Sequence, residues 1–169
     1  MLKRNLILFL GFYILILFQT SFLANFKIFG QVPNLILIFL FLAIFLNLSS
    51  SEIPWEAVFA GFFIDIFSSF PLGTSVIILF LESLFAKRIL KNFKEPSLFM
   101  LLPFFLGFQL IFYYSFFILY HFIGNSPLPR FDNAFLFQII SNSIFAILGF
   151  YPLKMLKQRF FIERHVESF

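Results

Sequence analysis

The chain has 169 residues, of which 61% are hydrophobic and only 12% are charged, and its mean hydropathy is +0.99. A soluble domain carries about 25% charged residues, so this composition excludes a fold whose surface mainly contacts water. The absence of cysteine excludes disulfides and thiolate metal sites, and His121 and His165 lack the close spacing of a zinc motif. Neither a glycine-rich phosphate loop nor a basic cluster with interleaved aromatic residues points to nucleotide or nucleic acid binding.

Apolar runs separated by short polar segments predict an all-α integral membrane protein with six transmembrane helices. A helix of about 20 apolar residues crosses the roughly 30 Å hydrocarbon core of a bilayer. The predicted helices form a single domain, residues 1–156, and cover residues 5–26, 32–48, 52–69, 74–87, 98–122 and 133–156. The first run is longer than the apolar region of a signal peptide, so we interpret it as an uncleaved helix.

The ends of the helices carry recognisable start and stop residues. Pro33 and Asn34 open the second helix, where a proline in the first turn loses no hydrogen bond. Ser51 and Asp132 are the predicted N-caps of the third and sixth helices. Pro71 and Gly73 predict a tight turn, so the third and fourth helices form an αα-hairpin within the membrane.

Basic residues indicate the orientation of the chain. With six crossings, ten Lys and Arg residues fall on the side of the N-terminus, and only Lys27 and Arg130 fall on the other side. Because Lys and Arg gather on the cytoplasmic side of membrane proteins, both termini are predicted to be cytoplasmic. Residues 157–169 form a basic tail that either lies on anionic lipid or is a frayed soluble segment.

Asp65 is the most unusual residue of the third helix, because it interrupts a phenylalanine-rich apolar run. Ala57, Gly61, Asp65 and Ser69 recur every four residues and therefore share one helical face. Small residues allow helices to approach closely in lipid, so this face is expected to contact protein. Glu82 is a second intramembrane acid, in the fourth helix about 8 Å from its inner end.

Both acids have two interpretations at this point. An intramembrane acid is by default a functional candidate, which would bind a proton, an ion or a basic solute. The structural interpretation is a hydrogen-bonded carboxyl that holds the helix register. Gln19, Gln138 and Asn142 fall at a similar depth to Asp65 in the outer half of the bilayer, so the four could form one polar cluster.

Residues 19–73 contain three short motifs: Gln19-Thr20, Pro33-Asn34-Leu35 at the start of the second helix, and the run from Gly61 to Gly73. This run reads Gly-x-x-x-Asp-x-x-Ser-x-x-Pro-Leu-Gly, and its marked positions are Gly61, Asp65, Ser68, Pro71 and Gly73. With these motifs, residues 19–73 resemble the rod shape-determining MreD family. The second half of the chain matches the family in length and hydropathy alone.

This resemblance implies a non-enzymatic subunit of the cell-elongation complex in the bacterial inner membrane. It implies a bundle similar to the S components of energy-coupling factor transporters, with no cofactor or metal. The implied partners are an MreC-like periplasmic scaffold, a RodA-type glycosyltransferase, a penicillin-binding transpeptidase and MreB, in the setting of side-wall peptidoglycan synthesis.

Two other classes of function compete with this expectation. An S component would bind a small solute or vitamin among Gln19, Asp65, Gln138 and Asn142. The first helix, however, lacks the Ala-x-x-x-Ala motif with which those subunits contact their coupling partner. An enzyme is disfavoured, because the intramembrane polar residues do not assemble a nucleophile, a base and an orienting group.

Overall fold

The computed structural model describes residues 2–25, 27, 30–48, 54–67, 71–93, 97–124 and 133–161. Six α-helices occupy this part of the chain, with one 3-10 turn at Leu23–Asn25 and no strand, so the all-α prediction is confirmed for the described residues. The helices are α1 Leu2–Ser21, α2 Leu35–Phe45, α3 Trp55–Phe67, α4 Thr74–Leu90, α5 Leu98–Gly124 and α6 Asn133–Phe161.

The helix α2 is the centre of the bundle and contacts each of the other five helices. Its 11 residues are apolar throughout, and nine of them are buried. A helix that is hydrophobic on all sides is stable only when it is surrounded, which explains why this run occupies the core. The sequence-based prediction treated α2 as one of six membrane segments. In the structure, α2 is the helix against which the other five pack.

Phenylalanine pairs connect the helices around this centre. Phe41 of α2 contacts Phe105 and Phe108 of α5, and Phe12 of α1 meets Phe39 of α2 edge to face. Nine of the described phenylalanines lie in the buried core: Phe12, Phe41, Phe45, Phe63, Phe105, Phe108, Phe112, Phe116 and Phe150. Offset and edge-to-face ring pairs stabilise beyond their buried area, so the phenylalanine content contributes to packing as well as to the lipid-facing surface.

Among the described residues, three helical segments are long and apolar enough to cross a membrane: Leu8–Asn25, which covers most of α1 and the 3-10 turn, Leu98–Leu119 in α5 and Asn133–Gln158 in α6. The others are shorter: at 1.5 Å per residue α2, α3 and α4 are about 17, 20 and 26 Å long, against roughly 30 Å of hydrocarbon. Large apolar side chains are exposed along α1, α4, α5 and α6. Contiguous apolar surface of this kind is incompatible with water and fits contact with lipid.

Several helix ends differ from the sequence-based expectation. The helix α1 ends five residues early, at Ser21, and α2 begins three residues late, at Leu35, because the backbone of Val32–Asn34 bonds to side chains instead. The helix α6 continues to Phe161, so the predicted tail begins within a helix. The predicted caps Ser51 and Asp132, the motif residue Ser68 and residues 162–169 lie outside the described residues.

Candidate functional site

The hairpin of α3 and α4 contains Gly61, Asp65, Gly73 and Glu82, which the sequence analysis identified as candidates. Of the helix pairs in the described part of the chain, this pair is the most closely packed. Asp65 is almost fully buried between the two helices. Its Oδ2 accepts a hydrogen bond from the backbone N–H of Gly73 at 2.7 Å, and its Oδ1 accepts one from Ser75 at 3.0 Å. A carboxylate from α3 therefore caps the N-terminus of α4.

The reason for this cap lies in the backbone of α4. A helix begins with N–H groups that have no partner within the helix, and they are usually satisfied by the side chain of the N-cap residue. Here the N-cap is Gly73, which has no side chain and adopts φ +98°. Asp65 supplies the missing acceptors from the neighbouring helix, and its negative charge lies at the positive end of the α4 dipole.

Gly61 permits the close approach that this cap requires. A Cβ atom at this position would lie 2.4 Å from Val76 Cα and 2.6 Å from Val76 N, so no other residue fits without moving the backbone of α4. Gly61 lies one turn before Asp65, so the closest contact and the cap occur on consecutive turns of α3. The predicted face is therefore buried at Ala57, Gly61 and Asp65, and it packs against α4 at Gly61 and Asp65. Ser69 of that face lies outside the described residues.

The other end of the hairpin is closed by an ion pair. Glu56, in the first turn of α3, is fully buried and pairs with Lys87 near the C-terminus of α4. The pairing of Lys87 with Glu56 depends on the antiparallel register of the hairpin, in which the first turn of one helix meets the last turn of the other.

A second polar site surrounds the N-terminus of α2. Gln19 of α1 accepts a hydrogen bond from the N–H of Leu35 at 2.8 Å, and Asn142 of α6 accepts one from Asn34 at 2.8 Å. The Asn34 side chain accepts the N–H of Leu37 at 3.1 Å, while Gln138 donates to the carbonyl of Val32 at 2.9 Å. Side chains of α1 and α6, together with the N-cap residue Asn34, thus satisfy the backbone at the start of the central helix.

Asn142 extends this network towards α5. Its Nδ2 donates to Oε1 of Gln109 at 2.9 Å, with a longer contact of 3.4 Å to the hydroxyl of Tyr113. Asn142 and Gln109 are both fully buried. Satisfied polar groups of this kind replace the hydrophobic force that is absent between helices in lipid, so Asn142 connects α2, α5 and α6.

The four-residue polar cluster expected from the sequence is therefore divided between two sites. Gln19, Gln138 and Asn142 converge on the start of α2, whereas the described hydrogen bonds of Asp65 go to the start of α4. Depth along a helix axis placed the four residues at one level of the membrane. Depth does not give the direction in which each side chain points around its helix axis, and this direction places Asp65 in a different site from the other three residues.

Glu82 has a different environment from the other acids. It is buried on the face of α4 that also carries Ser75 and Ser83, and neither of its carboxylate oxygens has a hydrogen-bond partner among the described residues. An uncompensated carboxyl inside a membrane bundle is costly, so Glu82 keeps its status as a functional candidate. No three His, Asp or Glu side chains in the described part of the chain lie close enough together to share a metal ion.

The fold and its polar sites define an all-helical membrane protein in which helix N-termini are capped by side chains of other helices. The chain matches no protein-family model, no curated protein and no solved structure.

Proposed function

We propose that this protein is a non-enzymatic, MreD-type scaffold subunit of the cell-elongation machinery in the bacterial inner membrane. It crosses the membrane six times with both termini in the cytoplasm, and α2, α3 and α4 cross with the help of their flanking turns. It binds an MreC-like scaffold and, through the assembled complex, a RodA-type glycosyltransferase, a penicillin-binding transpeptidase and MreB.

The observation that carries this proposal is the mutual fit of the residues that bear the resemblance. Gly61 provides the close helix contact, Asp65 provides the cap, and Gly73 provides the left-handed turn that leaves the cap to another residue. Pro33 and Asn34 form the start of α2, where the second polar site lies. Each group of motif residues thus fixes the start of one helix, α4 in the first case and α2 in the second, and this structural use supports a scaffold function.

The same geometry disfavours the solute-binding alternative. An S component would need free polar groups in its outer half, yet the acceptors of Gln19, Asp65 and Asn142 bond to backbone N–H groups. A solute would have to compete with hydrogen bonds that hold helix ends, at a cost of about 1–3 kcal/mol for each buried group left unpaired. A rigid polar interior is compatible with a subunit that acts by binding other proteins.

Contact with partners is assigned to the exposed apolar faces and not to Asp65. Phe62 and Ile66 of α3 are exposed on the side away from the buried face of Gly61 and Asp65. A partner helix that packs in lipid would meet such a face, whereas Asp65 is already enclosed by α4. Asp65 then affects partner binding indirectly, because its cap holds α3 and α4 together and so fixes the position of the exposed face of α3.

Depletion in a rod-shaped bacterium tests the proposal directly. We expect cells to become round, and a tagged copy to co-purify with an MreC-like protein in mild detergent. Normal shape combined with loss of uptake of one vitamin would contradict the scaffold function and support the S-component alternative.

A further inference from the structure

An apolar groove runs along the outside of the bundle between α1 and α6, with α2 as its floor. Within the described residues α1 and α6 do not contact each other, so the surface between them is open. The groove has a volume of about 330 Å³, and its wall on α6 includes Phe145, Gly149 and Leu153. Leu15 forms the α1 side, and Phe39 and Leu42 belong to the floor.

One end of this groove is closed by the polar site at the start of α2. Gln19 lies one turn beyond Leu15 on α1 and bonds to Leu35, which itself lines the groove. Asn142 lies almost one turn before Phe145 on α6 and bonds to Asn34. These two hydrogen bonds tie α1 and α6 to the same end of α2, so a bound molecule extends towards the other end.

The other end carries positive charge. Phe145, Gly149, Leu153 and Lys157 are spaced by four residues and form one stripe of α6, so Lys157 continues the groove wall by one turn. Lys154 is adjacent, and its Nζ lies 5.7 Å from the centre of the Phe150 ring. The groove is therefore apolar along its length and basic at its open end.

We propose that this groove binds one acyl chain of an anionic phospholipid, whose headgroup lies against Lys154 and Lys157. The stretch from Phe145 to Leu153 is about 12 Å long, close to the roughly 15 Å depth of one leaflet of hydrocarbon. Lysines at a membrane surface attract anionic headgroups. This proposal rests on the membrane setting of the chain and is independent of the scaffold function.

The size of the groove favours a lipid chain over a protein helix. A helix is about 10 Å or more in diameter, so a 15 Å section occupies over about 1,000 Å³, which is more than the volume of the groove. A whole helix therefore cannot enter the groove between the rims formed by α1 and α6. A single acyl chain can enter between the rims and contact Phe39 and Leu42.

Native mass spectrometry of the purified full chain tests this proposal. The probes are palmitoyl-oleoyl phosphatidylglycerol and the matching phosphatidylcholine, offered at equal concentration. We expect one phosphatidylglycerol to be retained roughly tenfold better than phosphatidylcholine, because two lysines face the headgroup. Lys154→Gln with Lys157→Gln is expected to abolish this preference.

Matched variants separate this site from general attraction to positive charge. Arg88→Gln with Lys91→Gln removes the same charge from the end of α4 and is expected to keep the preference. Leu148→Trp fills the groove from its rim and should lower retention of both lipids, whereas Ile140→Trp, two turns away on α6, should not. Equal retention of the two lipids by the unmodified chain, or an equal loss in the α4 variant, overturns the proposal.

Further experiments control for misfolded variants and test for a different occupant. Phosphatidylglycerol should raise the apparent Tm of the unmodified chain more than phosphatidylcholine does, and 1 M salt should remove the difference because it screens charges beyond about 3 Å. The pair Lys154→Arg with Lys157→Arg should keep the preference. If Leu148→Cys cross-links to a helix of another protein in membranes and no lipid is retained, the groove is a helix-docking site and the lipid proposal is wrong.

Discussion

Asp65 gains a defined role from its hydrogen bonds to Gly73 and Ser75. One carboxylate oxygen accepts the N–H of Gly73 and the other accepts the N–H of Ser75, at the N-terminal, positive end of the α4 dipole. An amide offers only one acceptor oxygen and directs its NH₂ group at the second N–H. The charge and the shape of Asp65 are therefore both used within the protein.

We expect Asp65→Ala to lower the free energy of unfolding by about 1–2 kcal/mol, the usual cost of losing a helix cap. Asp65→Asn should fall between this variant and the unmodified protein. Thermal unfolding in one detergent measures both, and co-purification with the MreC-like partner should fall in parallel with stability. Normal stability of Asp65→Asn with complete loss of partner binding would show that the partner recognises the carboxylate itself.

Gly61 is the second residue whose identity the packing dictates. Gly61→Ala places a methyl group 2.4 Å from Val76 Cα, so the hairpin must open or bend. Overpacking of this kind costs about 1–3 kcal/mol, which outweighs the gain of up to about 1 kcal/mol in helix propensity.

Gly107→Ala in α5 is the matched control, because a Cβ there meets no atom within 4 Å. We expect this variant to be as stable as the unmodified protein or slightly more stable. Thermal unfolding of the two variants under the same conditions gives the comparison. The inference of close helix contact fails if Gly61→Ala is as stable as Gly107→Ala.

At the scale of elements, the α3–α4 hairpin is fastened at both ends. The Asp65 cap holds the turn, and the pair of Glu56 and Lys87 holds the open end. Glu56 is fully buried while the side chain of Lys87 is 17% exposed, so removal of the lysine leaves a buried carboxylate without its described cation. The two contacts thus hold α3 and α4 together at both ends of the hairpin.

We expect Lys87→Gln to destabilise the protein by a few kcal/mol, since breaking a buried pair leaves an uncompensated charge. Glu56→Gln combined with Lys87→Gln should recover part of the loss. Lys91→Gln is the control, because Lys91 is exposed at the C-terminus of α4. A double-mutant cycle from thermal unfolding measures the coupling, and equal effects of Lys87→Gln and Lys91→Gln would argue against a structural ion pair.

At the scale of the whole molecule, the proposed topology has a direct test because the chain contains no cysteine. Each introduced cysteine is then unique, and Lys27, Lys91 and Gln158 are exposed positions in three separate parts of the chain. We expect a membrane-impermeant maleimide to label Lys27→Cys in spheroplasts, and Lys91→Cys and Gln158→Cys only in inverted vesicles. Labelling of Gln158→Cys from outside would contradict the cytoplasmic position of the C-terminal end.

The sequence alone determined the fold class and the approximate position of the helices. The apolar composition indicates that the chain is surrounded by lipid. In lipid every backbone polar group must form its hydrogen bond within the protein, and for apolar runs of this length an α-helix meets that requirement. Proline, glycine and small polar residues then mark where the helices end. The small-residue face of α3 could also be predicted, because a four-residue spacing is a local property of one helix.

Only the tertiary structure decided which residues meet. The uniformly apolar sequence of α2 favours a buried position, but the sequence pattern contained no signal for which helix Gln19 or Asp65 meets. The cap on α4, the network at the start of α2 and the pair of Glu56 with Lys87 join residues 8 to 108 positions apart. Such contacts depend on how helices pack against each other, because the energetic need to satisfy a buried N–H or charge does not specify which residue satisfies it.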